Sequence, residues 1–151
     1  MNHVTDPFIR TVCKDNYYSI CLPYAAEPAE NVKIFSVVGR DESSRNIYLQ
    51  EEATIQAGVP YLFRCNGRKA LFFRKDASSE DLETPVKGQP LVGTFTASPL
   101  MDRKALVILG NEWYHVTNHV SVASNSAWLL LSRLDVKTSP ICLHVNERYI
   151  G

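Results

Sequence analysis

The segment from Ile47 to Phe63, IYLQEEATIQAGVPYLF, limits the possible folds of this chain most strongly. Its first residues alternate between two kinds of side chain, with Leu49 on the more apolar side, which is typical of a strand with unequal faces. Gly58 is able to adopt a positive φ, and Pro60, which has no amide hydrogen, is tolerated as the first residue of a strand. The segment therefore predicts two strands joined by a glycine turn.

Three two-residue turn signals, Asp15-Asn16, Asn66-Gly67 and Gly110-Asn111, each separate two runs of β-forming residues. The Asn-Gly pair predicts a type I′ turn, in which both central residues have positive φ. That turn sets the register of a hairpin, with these facing pairs: Phe63 with Ala70, Leu62 with Leu71, and Tyr61 with Phe72. Both faces of this hairpin are apolar, so we expect other elements to cover both of them.

The rest of the chain predicts further strands and very little helix. The predicted strands, besides those already named, are 12–14, 17–22, 32–38, 91–96, 105–109, 112–117, 127–131 and 141–145. The polar stretch 76–90, DASSEDLETPVKGQP, predicts a surface loop. About ten short strands at this spacing indicate an antiparallel β-sandwich, jelly-roll-like in arrangement. We expect one domain over 1–151, with an ordered core from about residue 8 to residue 147.

Five motifs occur along the chain in this order: YSICLPY, VKIFSVVG, TIQAGVPYLF, LVGTF and SAWLLLS. The ordered set resembles an all-β accessory domain that recurs in secreted and cell-surface proteins of gut Bacteroidetes, and it covers roughly residues 10 to 134. The resemblance implies a non-enzymatic structural or adhesive domain in an extracytoplasmic setting, with a protein or a glycan as partner. The loop 76–90 and the turns at 66–67 and 110–111 are then the expected presentation surface.

Composition argues against two classes of partner. Sixteen Lys and Arg residues balance sixteen Asp and Glu residues, so no net charge attracts nucleic acid over long range. No stretch has the ~18 apolar residues of a membrane-spanning helix. The first ten residues, MNHVTDPFIR, lack the apolar centre of a signal peptide. With the resemblance, we expect that a leader has been removed or that a longer parent protein carries it; the composition leaves the oligomeric state open.

The four cysteines, Cys13, Cys21, Cys65 and Cys142, show neither clustering nor CxxC spacing, which argues against a zinc ribbon or a thioredoxin-like motif. If Asp15-Asn16 forms a hairpin, Cys13 faces Tyr18 and Cys21 projects from the opposite face, so a bond between Cys13 and Cys21 is disfavoured. Buried free thiols are the expectation, and the possible disulfide pairings stay open.

Two pairs of residues have the chemistry of metal ligands but not a convincing arrangement. His115 and His119 are four apart on a predicted strand and turn, where that spacing spans about 13 Å and separates the two imidazoles. Cys142 and His144 are two apart on a strand and share a face, yet no third or fourth ligand accompanies them. A half-exposed strand face is the expected role of that second pair.

Other catalytic and binding motifs are missing from the sequence. No GxSxG, Ser-x-x-Lys or cysteine-protease signature is present, and there is no glycine-rich phosphate loop. Asp76, Glu80 and Asp81 offer oxygen ligands for calcium, but their spacing is not that of an EF-hand, so a solvated acidic loop is expected. We therefore predict no catalytic, cofactor-binding or metal-binding residue.

Aromatic side chains supply the main alternative, a carbohydrate-binding module of a glycan-utilisation protein. The rings considered are Tyr48, Tyr61, Trp113, Tyr114 and Trp128. Trp128 lies in SAWLLLS, at a position where the strand of the resembled family has an aromatic residue, and the resemblance implies that it is buried. Trp113 lies beside the Gly110-Asn111 turn and is expected to be partly exposed. A third, weaker hypothesis is a small hydrolase, which predicts a concave pocket that holds a histidine beside a carboxylate or a nucleophile.

Overall fold

The computed structural model describes residues 6–100, 104–117 and 120–150, and these residues form an all-β fold, as predicted. The strands are β1 (Phe8–Thr11), β2 (Tyr17–Ile20), β3 (Ala26–Pro28), β4 (Val32–Arg40), β5 (Asn46–Glu52), β6 (Tyr61–Cys65), β7 (Lys69–Arg74), β8 (Leu91–Thr94), β9 (Ser98–Leu100), β10 (Ala105–Leu109), β11 (Glu112–Val116), β12 (Val120–Val122), β13 (Ser126–Leu130) and β14 (Ile141–Ile150). The helical content of the described ranges is one short 3₁₀ turn, Leu131–Arg133.

Nine strands form one large sheet in the order β2-β6-β4-β5-β14-β11-β10-β13-β8. Its β11–β14 pair is parallel, and its other pairs are antiparallel. The sheet curls until β2 meets β13 and the β10–β11 turn. The amide of Tyr17 donates to the carbonyl of Gly110 at 2.8 Å, and the amide of Ala127 donates to Ser19 Oγ at 2.9 Å. The predicted antiparallel sandwich or jelly roll is therefore not confirmed, because this sheet is mixed and closes almost into a barrel.

Apolar side chains fill the interior of the large sheet. The buried residues of this cluster include Leu49, Leu62, Leu106, Trp113 and Leu129. Alternation in β5 puts Ile47 and Leu49 into this interior and Tyr48 and Gln50 on the other, more exposed face, as the sequence predicts. Glu51 shares the side of Leu49 but is exposed. The barrel interior is consequently a packed core.

A second sheet of three strands, in the order β1-β7-β3, packs on the β2, β6 and β4 end of the large sheet. The rings of Phe63 in β6 and Phe72 in β7 meet edge to face, with their centroids 5.1 Å apart. A two-stranded ribbon of β9 and β12 covers a third apolar cluster, which includes Leu100, Val116 and Val122. Apolar burial thus joins all three sheets.

The predicted hairpin at Asn66-Gly67 is wrong. β6 pairs with β2 and β4, whereas β7 pairs with β1 and β3, so the two strands belong to different sheets. Neither Asn66 nor Gly67 has positive φ, which the type I′ turn requires. The amide of Asn66 instead donates to the carbonyl of Asn31 at 2.8 Å. The residues 66–68 therefore carry the chain from the large sheet to the three-stranded sheet. Phe63 contacts Phe72 across the two sheets.

The predicted hairpin at Asp15-Asn16 is also wrong, because Tyr18 pairs with Phe63 and not with Cys13. The first strand lies earlier than predicted, at Phe8–Thr11, and pairs with β7. By contrast, the hairpin at Gly110-Asn111 is confirmed, with Leu109 facing Glu112 and φ of +66° at Gly110. A turn of two residues determines register only when no other strand competes for the flanking backbone.

Two further local predictions are confirmed. Gly58 has φ of +73°, in the left-handed region that glycine tolerates best. The stretch 76–90 contains no strand or helix, and most of its side chains are exposed. In the described parts of the chain, no helix has the length and apolar character needed to cross a membrane.

Candidate ligand-binding cleft at the barrel seam

A cleft of ≈ 250 Å³ lies at the seam where the large sheet fails to close completely. β10 pairs with β13 only at Ala105 and Leu106, because the start of β13 diverges to contact β2. The cleft lies beside this divergence and is lined by residues of β2, β10 and β13. The β9–β12 ribbon borders it through the residues of β12.

Most side chains of the cleft wall are aliphatic. Val107 and Ile108 come from β10, Val120 and Val122 from β12, and Ile150 from the end of β14. These residues also belong to the apolar clusters beneath the ribbon and inside the barrel, or pack against them. Wall positions are thus fixed by core packing, which keeps the cleft open without a ligand.

Arg10 is the cationic side chain among the described residues of the cleft wall. It lies in β1 opposite Ala70, on the face of the three-stranded sheet that points inward. Its guanidinium carbon lies 5.8 Å from the centroid of the Phe63 ring, and its Nη1 donates to the carbonyl of Asn125 at 3.4 Å. Over the ranges that the structure describes, no carboxylate forms an ion pair with Arg10.

Burial sets the electrostatics of this arginine. Desolvation lowers the pKa of Arg10 from its ordinary value, and the nearby hydroxyl of Tyr18 opposes this effect. Arginine has so high an ordinary pKa that the side chain keeps its charge in proteins. The cleft therefore presents a positive charge that is partly removed from water and makes one long hydrogen bond to a neutral acceptor.

Polar groups of β2 and of the turn before β13 hold this end of the cleft together. Asn125, with φ of +55°, accepts a hydrogen bond from the amide of Cys21 at 3.0 Å, and its side chain donates to the carbonyl of Cys21 at 3.1 Å. Asparagine tolerates this left-handed conformation better than most residues. Ser19 Oγ accepts a hydrogen bond from the amide of Ala127, and Ser19 also lines the cleft. Because Asn125 also accepts from Arg10, the seam and the arginine are fixed by the same turn.

His115, the described member of the histidine pair, does not line this cleft. His115 stacks on Tyr149 with centroids 4.9 Å apart, whereas His119 lies outside the described residues. Cys142 and His144 are exposed on one face of β14 as predicted, and His144 Nδ1 shares a hydrogen bond of 2.5 Å with Asn46 Oδ1. In the described portion of the chain, no group of three His, Cys, Asp or Glu residues is arranged to hold a metal ion.

The acidic residues of the loop 76–90 make contacts within their own region. Asp81 forms an ion pair of 2.8 Å with Arg74, and Asp76 accepts hydrogen bonds from the amide and hydroxyl of Ser78 at 2.9 and 2.7 Å. The hydroxyl hydrogen bond of Ser78 is the main cause that lowers the pKa of Asp76. Glu80 is exposed. Asp76 and Asp81 thus make contacts within the loop and with the end of β7.

The predicted exposures of the two tryptophans are reversed. Trp113 is completely buried within the barrel core, and its indole Nε1 has no hydrogen-bond partner among the residues that the structure describes. Trp128 is half-buried and packs against the cluster beneath the ribbon. Tyr61 is buried, while Tyr48 and Tyr114 are half-buried. The ring on which the carbohydrate hypothesis depended is therefore inaccessible from the surface.

All four cysteines are free thiols in the structure. Cys21 and Cys65 are buried, in agreement with the expectation, whereas Cys13 and Cys142 are exposed. Burial raises the pKa of the Cys21 thiol to about 12. Burial also raises the pKa of Cys65, and Asp15 adds to this effect.

The sequence contains a signal for the cleft that motif reasoning did not detect. Phe8, Arg10 and Val12 alternate with residues of the other face, so a single arginine stands between two apolar side chains on one side of the chain. A charged residue at such a position is unusual unless it has a partner or a function. No local sequence pattern predicts the aliphatic wall of the cleft, because its residues come from β10, β12 and β14, which are distant in the chain.

Comparisons with family models, with curated protein sequences and with solved structures find no match to this chain. The seam geometry and the sequence motifs are therefore the grounds for assigning a function to it.

Proposed function

We propose that this chain is a non-enzymatic binding domain and that the seam cleft is its binding site. The observation that carries the proposal is the combination of an aliphatic cleft with one partly buried arginine, Arg10. Small-molecule sites in proteins are typically concave, mostly apolar and equipped with a few polar groups that orient the ligand. A cleft of ≈ 250 Å³ is near the lower limit for such sites, so a small ligand or a short side chain of a larger partner fits it.

The wider setting is part of the same proposal and is supported by the resemblance of the five ordered motifs. We propose that the domain belongs to a secreted or surface-associated bacterial protein, where it has a structural or adhesive role toward a protein or a glycan. A sandwich-like arrangement is proposed only for the first half of the chain. Its support is the apolar cluster between the three-stranded sheet and strands β2, β4 and β6.

Neither alternative function has an observation that favours it. The carbohydrate-binding module relied on an exposed Trp113, which is buried. The small hydrolase requires a histidine beside a carboxylate or nucleophile in a pocket, and the described lining of the cleft contains serines but neither histidine nor carboxylate. The binding proposal needs only the groups that line the cleft.

A fragment screen on the isotope-labelled protein tests the proposed site. Small amphipathic fragments are titrated while amide chemical shifts are followed, and the expected result is saturable shifts at Ser19, Val107 and Ala127. Ala123, which is exposed at the cleft wall, is replaced in Ala123→Trp to obstruct the cleft. Ala77→Trp, at an exposed position in the surface loop, is the matched control.

We expect fragment binding to be lost in Ala123→Trp and retained in Ala77→Trp. If no fragment shifts the cleft amides, or if Ala123→Trp binds as the natural sequence does, the cleft is not the binding site.

A further inference from the structure

The position of Arg10 limits the chemistry of a ligand in the cleft. A guanidinium group has five N–H donors, and among the described residues one of them donates a hydrogen bond of 3.4 Å to the carbonyl of Asn125. Its guanidinium carbon lies over the ring of Phe63, 5.8 Å from the ring centroid. The donors at the edge of the guanidinium are thus the groups left to meet a ligand, and planar donors of this kind match the two oxygens of a carboxylate.

The surroundings of Arg10 favour a ligand with a single negative charge. The described lining of the cleft has one cationic side chain, whereas phosphate sites commonly combine several donors or cations. A partly buried cation without an anionic partner loses hydration on folding, and an anion that enters the cleft compensates for this loss. A second negative charge would have no partner on the described wall.

The rest of the wall favours an aliphatic body for the same ligand. Val107, Ile108, Val122 and Ile150 line the cleft with aliphatic side chains, and the two buried serines of the wall each make one hydrogen bond to the protein. Ser19 Oγ accepts from the amide of Ala127, and Ser126 Oγ donates to the carbonyl of Ser124. A sugar ring would leave several hydroxyls unsatisfied against this wall, whereas an alkyl chain would bury its whole surface favourably.

We propose that the seam cleft binds a small aliphatic monocarboxylate, with its carboxylate on Arg10 and its alkyl chain along the β10, β12 and β14 side of the wall. This inference rests on the proposed function, since it names the ligand class of the same cleft. The carboxylate is recognised by a charge-assisted hydrogen bond from Arg10, and the alkyl chain is recognised by burial against the aliphatic wall. No covalent step is involved.

The test compares two acids with their uncharged analogues on the natural sequence. Hexanoate and octanoate are titrated against hexanol and octanol, and binding is followed by amide shifts and by calorimetry. We expect both acids to bind the cleft roughly ten- to a hundredfold more tightly than the alcohols, the ratio produced by one charge-assisted contact. Added salt weakens binding of the acids and not of the alcohols.

Variants at Arg10 give an independent readout. Arg10→Gln is expected to weaken hexanoate binding by roughly ten- to a hundredfold and to leave hexanol binding nearly unchanged. Arg10→Lys keeps the charge without the planar donors, and its affinity for hexanoate is expected to lie between those of Arg10→Gln and the natural sequence. Because the acid and alcohol comparison uses the natural sequence, the proposal remains testable if the variants fold poorly.

The two proposals fail in different ways. If hexanol binds the cleft as tightly as hexanoate, or if Arg10→Gln binds hexanoate as the natural sequence does, the monocarboxylate inference is overturned and the cleft remains the binding site. If neither the acids nor any fragment shifts the cleft amides, both proposals are overturned.

Discussion

Single residues in this fold differ in reactivity because of burial, and the four cysteines show this directly. We expect Cys13 and Cys142 to react with a thiol reagent in the native protein, while Cys21 and Cys65 react only after unfolding. The reactive form is the thiolate, and burial raises the pKa of Cys21 to about 12. Counting reacted thiols with and without denaturant checks the prediction, and the Cys13→Ser/Cys142→Ser double variant is expected to show almost no native reactivity. Rapid native labelling of Cys21 would contradict it.

Fluorescence provides a test at the two tryptophans. Trp128→Phe leaves Trp113 as the emitter, and Trp113→Phe leaves Trp128. We expect acrylamide to quench Trp113 several times less than Trp128, because Trp113 has no exposed surface and Trp128 is half-buried. Equal quenching of the two variants, with both folded by circular dichroism, would show that the barrel core is open to solvent.

The misassigned tryptophans show how much a sequence predicts at this scale. Trp113 follows a turn, which favours exposure, but it shares a face with Leu106 and Ile108 and faces Ile108 in the hairpin. Trp113 is buried because its side chain points to the apolar face of the hairpin, and that direction was predictable from the hairpin register. The burial of Arg10 beside Phe63 depends on how two sheets pack, which no local pattern contains.

At the scale of elements, turn residues predict a turn more reliably than they predict the strands that pair on either side. Gly110-Asn111 forms its hairpin, whereas Asn66-Gly67 joins strands of two different sheets. The amide of Asn66 is bonded to the carbonyl of Asn31, and Asn31 Nδ2 reaches Cys65 Sγ at 3.5 Å. A partner 35 residues earlier in the chain therefore replaced the local hairpin bond.

The β4–β5 turn provides a prediction about pH. Asp41 accepts hydrogen bonds from the side chain and the amide of Asn46 and from Ser43 and Arg45, and these bonds, led by the Asn46 side chain, lower the pKa of Asp41 to about 2. The unfolded value is about 3.9. A depressed folded pKa contributes stability that is present above the unfolded value and is lost as pH falls toward the folded value.

We therefore expect Asp41→Asn to lower the denaturation midpoint at neutral pH, and the difference from the natural sequence to shrink between about pH 4 and pH 2. Glu42→Gln removes the same charge from an exposed neighbour in the same turn and is the control. Denaturant unfolding at a series of pH values measures both variants. A deficit of Asp41→Asn that stays constant down to pH 2 would show that the carboxylate hydrogen bonds are not its source.

At the scale of the whole molecule, the sequence predicted most strand positions but not the sheet order. The parallel pairing of β11 with β14 brings Glu112 beside His144. Such a pairing depends on which apolar faces are left unpaired after the hairpins form, and no turn signal encodes it. The seam and its cleft follow from this order, so they were not predictable from local patterns either.

Closure of the barrel predicts a coupling between its two terminal strands. A methyl group added to Gly93 in β8 would clash with Cys21 Sγ, at the end of β2. We expect Gly93→Ala to cost about 1–3 kcal/mol of unfolding free energy, the usual range for overpacking. The Cys21→Ala background removes the sulfur, so we expect Gly93→Ala to cost about 1 kcal/mol less unfolding free energy there. The contact of the added methyl group with Cβ of residue 21, at 3.0 Å, remains in both backgrounds.

Gly39→Ala is the matched control for this cycle. Its added methyl would clash with the backbone carbonyl oxygen of Lys137, a contact that no side-chain truncation at Cys21 relieves. We expect its cost to be the same with and without Cys21→Ala, because distant substitutions are additive. Urea unfolding of the single and double variants measures both couplings. If Gly93→Ala is as costly in the Cys21→Ala background as in the natural one, β2 and β8 do not pack together at the seam, because the coupling requires the sulfur to touch the strand that carries Gly93.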